Sequence, residues 1–361
     1  GHPGEACHNA LSPLPGLSVT LVQERNPMRR PVKFLAALMV AAGPAALSVA
    51  HAADITGAGS SFAAPIYEAW GAAAKSATGV AVNYQSVGSS AGQNQVLAGT
   101  VDFGASDAPM DAAKLEKGAL FQFPTVMGGI VPVVNIPGVS ANALRLTGDV
   151  LADIYAGTIS SWNDPKITAL NPGLKLPDLP IATVHRADGS GTTFVFTSYL
   201  SRESQSWHDA AGAGSSIAWP GGVGARGNDG VAASVRNTEG GIGYVEYAYA
   251  SRNHMTTVQL KSKAGDFVTA SLESFAKAAG AADWKGATNF AVDLLDTPGQ
   301  GAWPIVSATY VLVPKPPKDA DKGAAVRKFF GWAFDNGDSA ARRLDYVVLP
   351  ASVKAAVRAA W

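Results

Sequence analysis

Residues 179–193 read LPIATVHRADGSGTT, and this stretch is the most informative part of the sequence. An apolar run that predicts a β-strand ends at Val184, the cation Arg186 follows, and a glycine–serine turn leads into a helix predicted over 192–200. Backbone N–H groups at a helix start, hydroxyl groups and one arginine suit a small tetrahedral anion. We therefore predict an oxyanion site where this strand ends and the helix begins.

Two other turns repeat this pattern without the arginine. They are GAGSS at 57–61 and GSSAG at 88–92, and each stands between a predicted strand and a predicted helix. A third predicted strand, 101–105, stops just before Asp107. Strands and helices in alternation predict an α/β domain with a mainly parallel sheet, and such sheets bind ligands at the carboxyl ends of their strands.

The rest of the chain continues the α/β pattern. The apolar run FQFPTVMGGIVPVVNIP at 121–137 predicts two buried strands and a crossing segment, and 303–313 is another buried run. A helix is predicted over 146–161, and two terminal helices are predicted near 324–336 and 339–346.

Length and charge narrow the class of protein. The chain has 361 residues, 47% of them apolar, which predicts two domains. Its 28 basic and 28 acidic residues balance, so no basic excess indicates a nucleic-acid partner. The single cysteine is Cys7, and the three histidines after residue 52 show no metal-ligand spacing, so we expect no metal and no cofactor.

The N-terminal region is expected to be removed. A charged start at Met28, an apolar run at 34–50 and the triplet Ala50-His51-Ala52 predict a cleaved signal peptide over 28–52. The alternative is a membrane anchor, but Gly43 and Pro44 interrupt a run that is marginal for a spanning helix. Residues 1–27 precede a plausible initiator methionine, and we interpret them as a non-native upstream extension.

Seven segments in register carry a family resemblance. They are TGAGSSFAAPIY (56–67), NYQSVGSSAG (83–92), VDFGASDAPM (101–110), FQFPTVMGG (121–129), RADGSGTTFVFTSYL (186–200), GNDGVAA (227–233) and GYVEYAYA (243–250). Together they resemble the periplasmic phosphate-binding proteins that serve the high-affinity phosphate ABC transporter. The resemblance implies a type II periplasmic binding protein fold, with two α/β lobes, mixed but mostly parallel sheets and two crossover hinge strands. Lobe one would be 53–131 with 307–361, and lobe two would be 132–306.

The same resemblance implies a phosphate site between the lobes. The residues that would contact phosphate are Ser61, the N–H of Phe62, Ser89, Asp107, Arg186, Ser190, Gly191 and Thr192. Asp188 would orient the arginine, and Asp229 is interpreted as a turn residue outside the site. The implied partners are inorganic phosphate and an ABC permease with its ATPase, and the implied protein is a periplasmic monomer rather than an enzyme.

The chemistry of Asp107 explains how such a site would choose phosphate. Phosphate near neutral pH carries at least one proton, whereas sulfate carries none. An ionised carboxylate only accepts hydrogen bonds, so it favours the phosphate O–H and repels a bare sulfate oxygen. Two unit charges about 4 Å apart at an effective dielectric near 20 interact by roughly 4 kcal/mol.

Other interpretations remain open from the residues alone. The serine-containing turns could be ordinary helix N-caps, and Arg186 with Asp188 could be a surface ion pair. A phosphomonoesterase would need an activated nucleophile or a metal cluster, and no base accompanies Ser190 in its motif. A binding protein for sulfate, molybdate or arsenate is the remaining alternative.

Overall fold

Strands and helices alternate along the part of the chain that the structure describes. The computed structural model describes residues 53–361. Its strands are β1 (Ile55–Gly59), β2 (Val82–Ser86), β3 (Phe103–Ser106), β4 (Leu120–Val134), β5 (Arg145–Leu146), β6 (Ala182–Arg186), β7 (Val223–Ala225), β8 (Gly241–Glu246), β9 (Thr256–Thr257), β10 (Gln259–Lys261), β11 (Phe267–Thr269), β12 (Val306–Pro314) and β13 (Val347–Val348).

Helices follow most of the strands along the described chain. They are α1 (Ala64–Thr78), α2 (Ser89–Ala98), α3 (Ala112–Gly118), α4 (Gly148–Ala156), α5 (Pro165–Thr168), α6 (Gly191–Glu203), α7 (Gln205–Ala210), α8 (Gly227–Arg236), α9 (Tyr247–Arg252), α10 (Leu272–Ala279), α11 (Ala320–Asn336), α12 (Asp338–Arg343) and α13 (Ala351–Ala360), with a 3-10 turn at Thr288–Phe290. Within residues 53–361 none of these helices combines the length and the apolar character that a bilayer crossing requires. The predicted signal peptide at 28–52 and the extension at 1–27 lie outside the described residues.

The long strand β4 joins two halves of the sheet. It pairs antiparallel with β12 from Leu120 to Gly129, then antiparallel with β8 from Ile130 to Val134. The strand order is β2-β1-β3-β12-β4-β8-β6-β7. The outer pairs β1–β2, β1–β3, β6–β7 and β6–β8 are parallel, so the sheet is mixed. We call β1–β3, β12, β13 and the start of β4 the first half, and the end of β4 with β6–β9 the second half.

The prediction of two strands over 121–137 was wrong, because a single strand of 15 residues runs through this region. The run contains Pro124, and a proline cannot donate a hydrogen bond to a neighbouring strand. At Pro124 the pairing with β12 shifts by one residue between Thr309 and Tyr310. This bulge lets the strand continue past the proline.

Helix positions follow the predictions with shifted ends. The helix expected over 192–200 runs as α6 from Gly191 to Glu203, and the one expected over 146–161 is the shorter α4. The two predicted terminal helices correspond to α11 and α12, and α13 follows them without having been predicted.

Each half of the sheet has an aromatic core. In the first half, the ring of Phe103 meets those of Tyr67 and Phe330 edge-on, and all three side chains are fully buried. In the second half, Phe196 of α6 stacks on Tyr244 of β8 with ring centroids 4.2 Å apart. Burying each such side chain contributes on the order of 2 kcal/mol, so both halves hold their loops on rigid supports.

Candidate anion-binding site

The predicted site residues meet between the two halves of the sheet, on loops that follow the carboxyl ends of β1, β2, β3 and β6. The halves approach closely, because the backbone N–H of Ser90 donates to the carbonyl of Gly189 at 3.1 Å. A Cβ atom added to Gly191 would lie 2.7 Å from Oδ2 of Asp107, so only glycine fits there. The structure thus brings together residues that are far apart in the sequence.

Arg186 is the cation of the site, and Asp188 holds it. The guanidinium Nε donates to Oδ1 of Asp188 at 2.7 Å, and Nη2 donates to Oδ2 at 2.6 Å. Burial by itself would raise the pKa of Asp188, but the hydrogen bonds and charge of Arg186 outweigh it and lower that pKa below its usual range. This two-point pairing fixes the plane of the guanidinium and leaves Nη1 with no acceptor within residues 53–361.

Asp107 is buried, and its two carboxylate oxygens have different surroundings. Oδ1 accepts hydrogen bonds from the hydroxyls of Ser60 at 2.6 Å and Thr309 at 2.8 Å. Oδ2 has only a long contact, 3.5 Å, with the Ser89 hydroxyl. Burial raises the pKa of Asp107 to about 6, against the opposing effects of these hydroxyls and of Arg186. The carboxylate is therefore mainly ionised at neutral pH, and Oδ2 is the oxygen free to accept a further proton donor.

The start of α6 presents backbone donors. Ser190 is its N-cap, and its Oγ accepts the N–H of Thr193 at 2.9 Å. The N–H groups of Gly191 and Thr192 have no acceptor within residues 53–361, as expected for the first turn of a helix. Because the helix dipole places partial positive charge at this end, the turn favours an anion.

The loop after β1 adds a hydroxyl and an amide. Ser61 is buried, and its carbonyl accepts a hydrogen bond from the Tyr249 hydroxyl. The N–H of Phe62 belongs to the same peptide group, and it has no acceptor in the described part of the chain. Tyr249 therefore fixes the peptide whose N–H would face the anion.

Asn228, at the start of α8, is a site residue that the sequence prediction missed. Its backbone N–H and its Nδ2 both donate to Oγ of Ser61, at 3.0 and 2.8 Å, and Nδ2 also lies 3.1 Å from Oγ1 of Thr192. Its Oδ1 accepts the N–H of Glu246 at 2.7 Å. Asn228 therefore bridges the two halves of the site. The neighbouring Asp229, expected to lie in a turn, is exposed on the first turn of α8.

The site hydroxyls share one arrangement. Each accepts a hydrogen bond from an N–H group of the chain: Ser61 and Thr192 from Asn228, Ser89 from the backbone of Asp107 at 3.1 Å, and Ser190 from Thr193. A hydroxyl whose oxygen already accepts has its own proton left to donate. The site can therefore offer several neutral donors and one acceptor to a guest rich in oxygen.

The described residues offer no metal chemistry at this place. Among residues 53–361, no three His, Cys, Asp or Glu side chains are grouped closely enough to hold a metal ion. The charged groups of the site are Arg186, Asp188 and Asp107.

Comparison with known proteins shows the family of the chain. A family model described as a PBP superfamily domain matches residues 44–336. The phosphate-binding protein PstS of Xylella fastidiosa is 49% identical over 307 residues, which cover 85% of this chain and 84% of that protein. The phosphate-binding protein PstS of Pasteurella multocida is 49% identical over 311 residues, covering 86% of this chain and 90% of that protein.

A solved structure shows the shared fold. The X-ray structure of a phosphate-binding protein from Stenotrophomonas maltophilia matches 85% of this chain and 94% of its own, with a TM-score of 0.65 at 21% identity. The mixed sheet with its two halves agrees with the type II two-lobe binding protein fold, which confirms the predicted fold class. The chain therefore belongs to the PBP superfamily and, within it, to the PstS family of phosphate-binding proteins.

Proposed function

We propose that this protein captures inorganic phosphate between its two lobes. One observation carries the proposal: the site hydroxyls are all held as donors, while Oδ2 of Asp107 is a single free acceptor. A guest that matches this pattern has several bare oxygens and one O–H group. Phosphate and arsenate near neutral pH fit that description, and sulfate does not.

The proposed contacts divide between the lobes. Ser61, the N–H of Phe62, Ser89 and Asp107 would bind from lobe one, and the loop from Arg186 to Thr192 would bind from lobe two. The lobe limits remain those predicted from the sequence, 53–131 with 307–361 and 132–306. They agree with the change of partner of β4 after Gly129. Separation of the lobes would divide the donor set, which gives a route for release.

We further propose that the bound phosphate is delivered to an ABC permease and its ATPase for import. The PstS family membership supports this role. The protein would act in the periplasm, as a monomer and without catalysis. Within residues 53–361 no histidine or lysine is hydrogen-bonded to the hydroxyls of Ser190 and Thr192, which supports a role for these residues as donors rather than as nucleophiles.

Isothermal titration calorimetry on protein freed of phosphate tests this proposal. We expect tight one-to-one binding of phosphate, competition by arsenate, and sulfate binding weaker by about a thousandfold at neutral pH. Sulfate binding as tight as phosphate would show that the site serves another oxyanion. Hydrolysis of a chromogenic phosphate ester that is lost in Ser190→Ala would show an enzyme instead.

A further inference from the structure

A second buried carboxyl group, Glu246, lies behind the anion site. It stands at the end of β8 with no exposed surface, and its Oε2 accepts the N–H of Ala248 at 2.8 Å. The same oxygen lies 3.2 Å from the hydroxyl of Tyr346, which comes from lobe one. Oε1 is buried and has no hydrogen-bond partner within residues 53–361. Glu246 is not among the residues proposed to touch phosphate.

A count of protons fixes the state of this carboxyl group. The Tyr346 hydroxyl lies 2.5 Å from the carbonyl oxygen of Phe62, and a carbonyl can only accept, so the single phenol proton is used there. A hydrogen bond between Tyr346 and Glu246 therefore needs a proton from the carboxyl group. An ionised Glu246 would also leave Oε1 as a charged oxygen without a donor in the interior, which is costly. Glu246 is consequently a neutral acid.

The hydrogen bonds continue from Phe62 to Asp107. The carbonyl of Phe62 shares a peptide group with the N–H of Ala63, which donates to Oγ of Ser60 at 3.1 Å. The Ser60 hydroxyl in turn donates to Oδ1 of Asp107 at 2.6 Å. Every donor in this series points away from Glu246 and toward Asp107. Hydrogen bonds aligned in this way polarise one another, so the last donor is strengthened.

The surrounding charges favour opposite states for the two carboxyl groups. Asp107 is faced by the cation Arg186 and by the phenols of Tyr67, Tyr84, Tyr310 and Tyr346. Glu246 is faced by Asp107, Asp345, Tyr247, Tyr249 and Tyr346, and no cation is among these neighbours. Burial raises the pKa of Glu246 well above its usual value, and the carboxylates of Asp107 and Asp345 add to that effect.

We propose that Glu246 is a positioning residue of the anion site. As a neutral acid it is the first donor of a one-way hydrogen-bond chain, through Tyr346, the Phe62–Ala63 peptide and Ser60, that ends on Asp107. The chain holds the first binding loop in place and keeps Asp107 an oriented, charged acceptor. This role rests on the proposed function, because Asp107 selects ligands only if the site takes a proton-bearing oxyanion.

Three variants and one control test the chain. Glu246→Gln keeps a neutral group whose amide nitrogen can donate to Tyr346, although the Ala248 N–H, which shares Oε2 with Tyr346, then loses its acceptor; Glu246→Leu removes both the donor and the acceptor. Tyr346→Phe removes the relay hydroxyl but keeps the ring. Tyr155→Phe is the matched control, because Tyr155 is also buried and its hydroxyl donates to a carbonyl, that of Val184, at 3.0 Å.

Two quantities are measured for each variant. One is the Kd for phosphate at neutral pH, and the other is the sulfate midpoint, the pH at which sulfate binding has lost half of its low-pH strength. Glu246→Gln and Tyr155→Phe should stay within about twofold of the wild-type Kd and keep its midpoint. Glu246→Leu and Tyr346→Phe should each weaken phosphate binding about tenfold, the effect of one lost buried hydrogen bond. They should also raise the sulfate midpoint by about half a pH unit, because Asp107 then holds its proton more readily.

Two results would overturn the proposal. One is a Glu246→Gln protein whose sulfate midpoint shifts as much as that of Glu246→Leu, since a neutral donor to Tyr346 would then not be what keeps Asp107 charged. The other is a folded Tyr346→Phe protein with the wild-type sulfate midpoint. Infrared spectroscopy of the protein without phosphate gives an independent measurement. Burial also raises the pKa of Glu203 to about 8, so that group adds a protonated carboxylic-acid band to every variant at neutral pH. The spectrum of the wild type minus that of Glu246→Gln should still show such a band, and its absence from this difference would refute the chain even if phosphate binds as proposed.

Discussion

Replacing Asp107 by asparagine should convert the site from one that rejects sulfate to one that accepts it. Asparagine keeps the shape of the side chain, and its carbonyl oxygen can accept the hydroxyls of Ser60 and Thr309 as Oδ1 does now. Its amide group then occupies the place of Oδ2. A donor stands where the only free acceptor stood, and the negative charge is gone.

The magnitude follows from the charges involved. For sulfate, the change removes a repulsion of roughly 4 kcal/mol, worth up to about a thousandfold in affinity. For phosphate, the change removes a charge-assisted hydrogen bond worth about 1.5–3 kcal/mol, but it also relieves repulsion by the carboxylate. We therefore expect sulfate affinity to rise at least about a hundredfold, and phosphate affinity to fall by about tenfold or less.

Calorimetry at neutral pH with both anions measures the two changes. Asp102→Asn is the matched control, because Asp102 accepts a backbone N–H from Thr56 at 2.8 Å near the same strand but does not face the site. The control should keep the wild-type preference for phosphate. An Asp107→Asn protein whose phosphate-to-sulfate ratio stayed within about threefold of wild type would refute the acceptor role of Asp107.

The pH dependence of sulfate binding gives a second test of the acceptor role of Asp107. Burial raises the pKa of Asp107 to about 6, so the carboxyl group gains a proton as the pH falls through that value. A protonated Asp107 can donate to sulfate, which itself stays fully ionised in this range. Sulfate binding to the wild-type protein should therefore strengthen below about pH 6, and it should not change with pH in Asp107→Asn.

The raised pKa of Asp107 also favours the protonated folded state, so this group's contribution to stability is largest at low pH and is lost as the pH rises through about 6.

Three further substitutions probe the remaining contacts. Arg186→Ala should weaken the binding of phosphate and of arsenate similarly, by about a hundredfold or more. Unchanged binding in calorimetry would show that the anion site lies elsewhere. Asn228→Asp should weaken phosphate at least about tenfold, because carboxylate oxygens would draw the protons of two site hydroxyls away from the ligand; an unchanged Kd would contradict its bridging role. Gly191→Ala should weaken phosphate binding and keep the lobes apart in small-angle scattering, whereas Gly173→Ala, with open space around it, should change neither.

Most of the fold could be predicted because polar turns separate its strands from its helices. The parallel strands β1, β3 and β6 each end in such a turn, and the helices begin within a few residues of the predicted positions. The single strand β4 could not be predicted, since the bulge that accommodates Pro124 depends on pairing with a strand about 180 residues later. Helix α13 was missed because only Val353 and Val357 of its ten residues are buried, which is too narrow an apolar stripe to recognise.

The site was predicted through segments of contiguous sequence, and the two residues that the prediction missed, Asn228 and Glu246, lie within those segments without any local feature that marks them. Asn228 stands in a Gly-Asn-Asp-Gly sequence that is typical of a plain turn, and only the closeness of Ser61 reveals its role. Glu246 lies inside a quoted segment, but nothing local shows that Tyr346, 100 residues away, lies beside it. Contacts between the lobes are set by tertiary structure, so single-sequence reasoning has no signal for them.

The charges of the site explain how strong binding and release can coexist. Asp188 neutralises Arg186, so an ionised Asp107 gives the site a net negative charge even before its anionic guest arrives. Attraction must then come mainly from hydroxyl and N–H dipoles that act over short distances. Dipole contacts weaken steeply once the donors are displaced, whereas a cluster of cations would hold an anion even in an open cleft. Because the donors are divided between the lobes, opening the cleft removes about half of them at once, and phosphate can leave without any change in protonation.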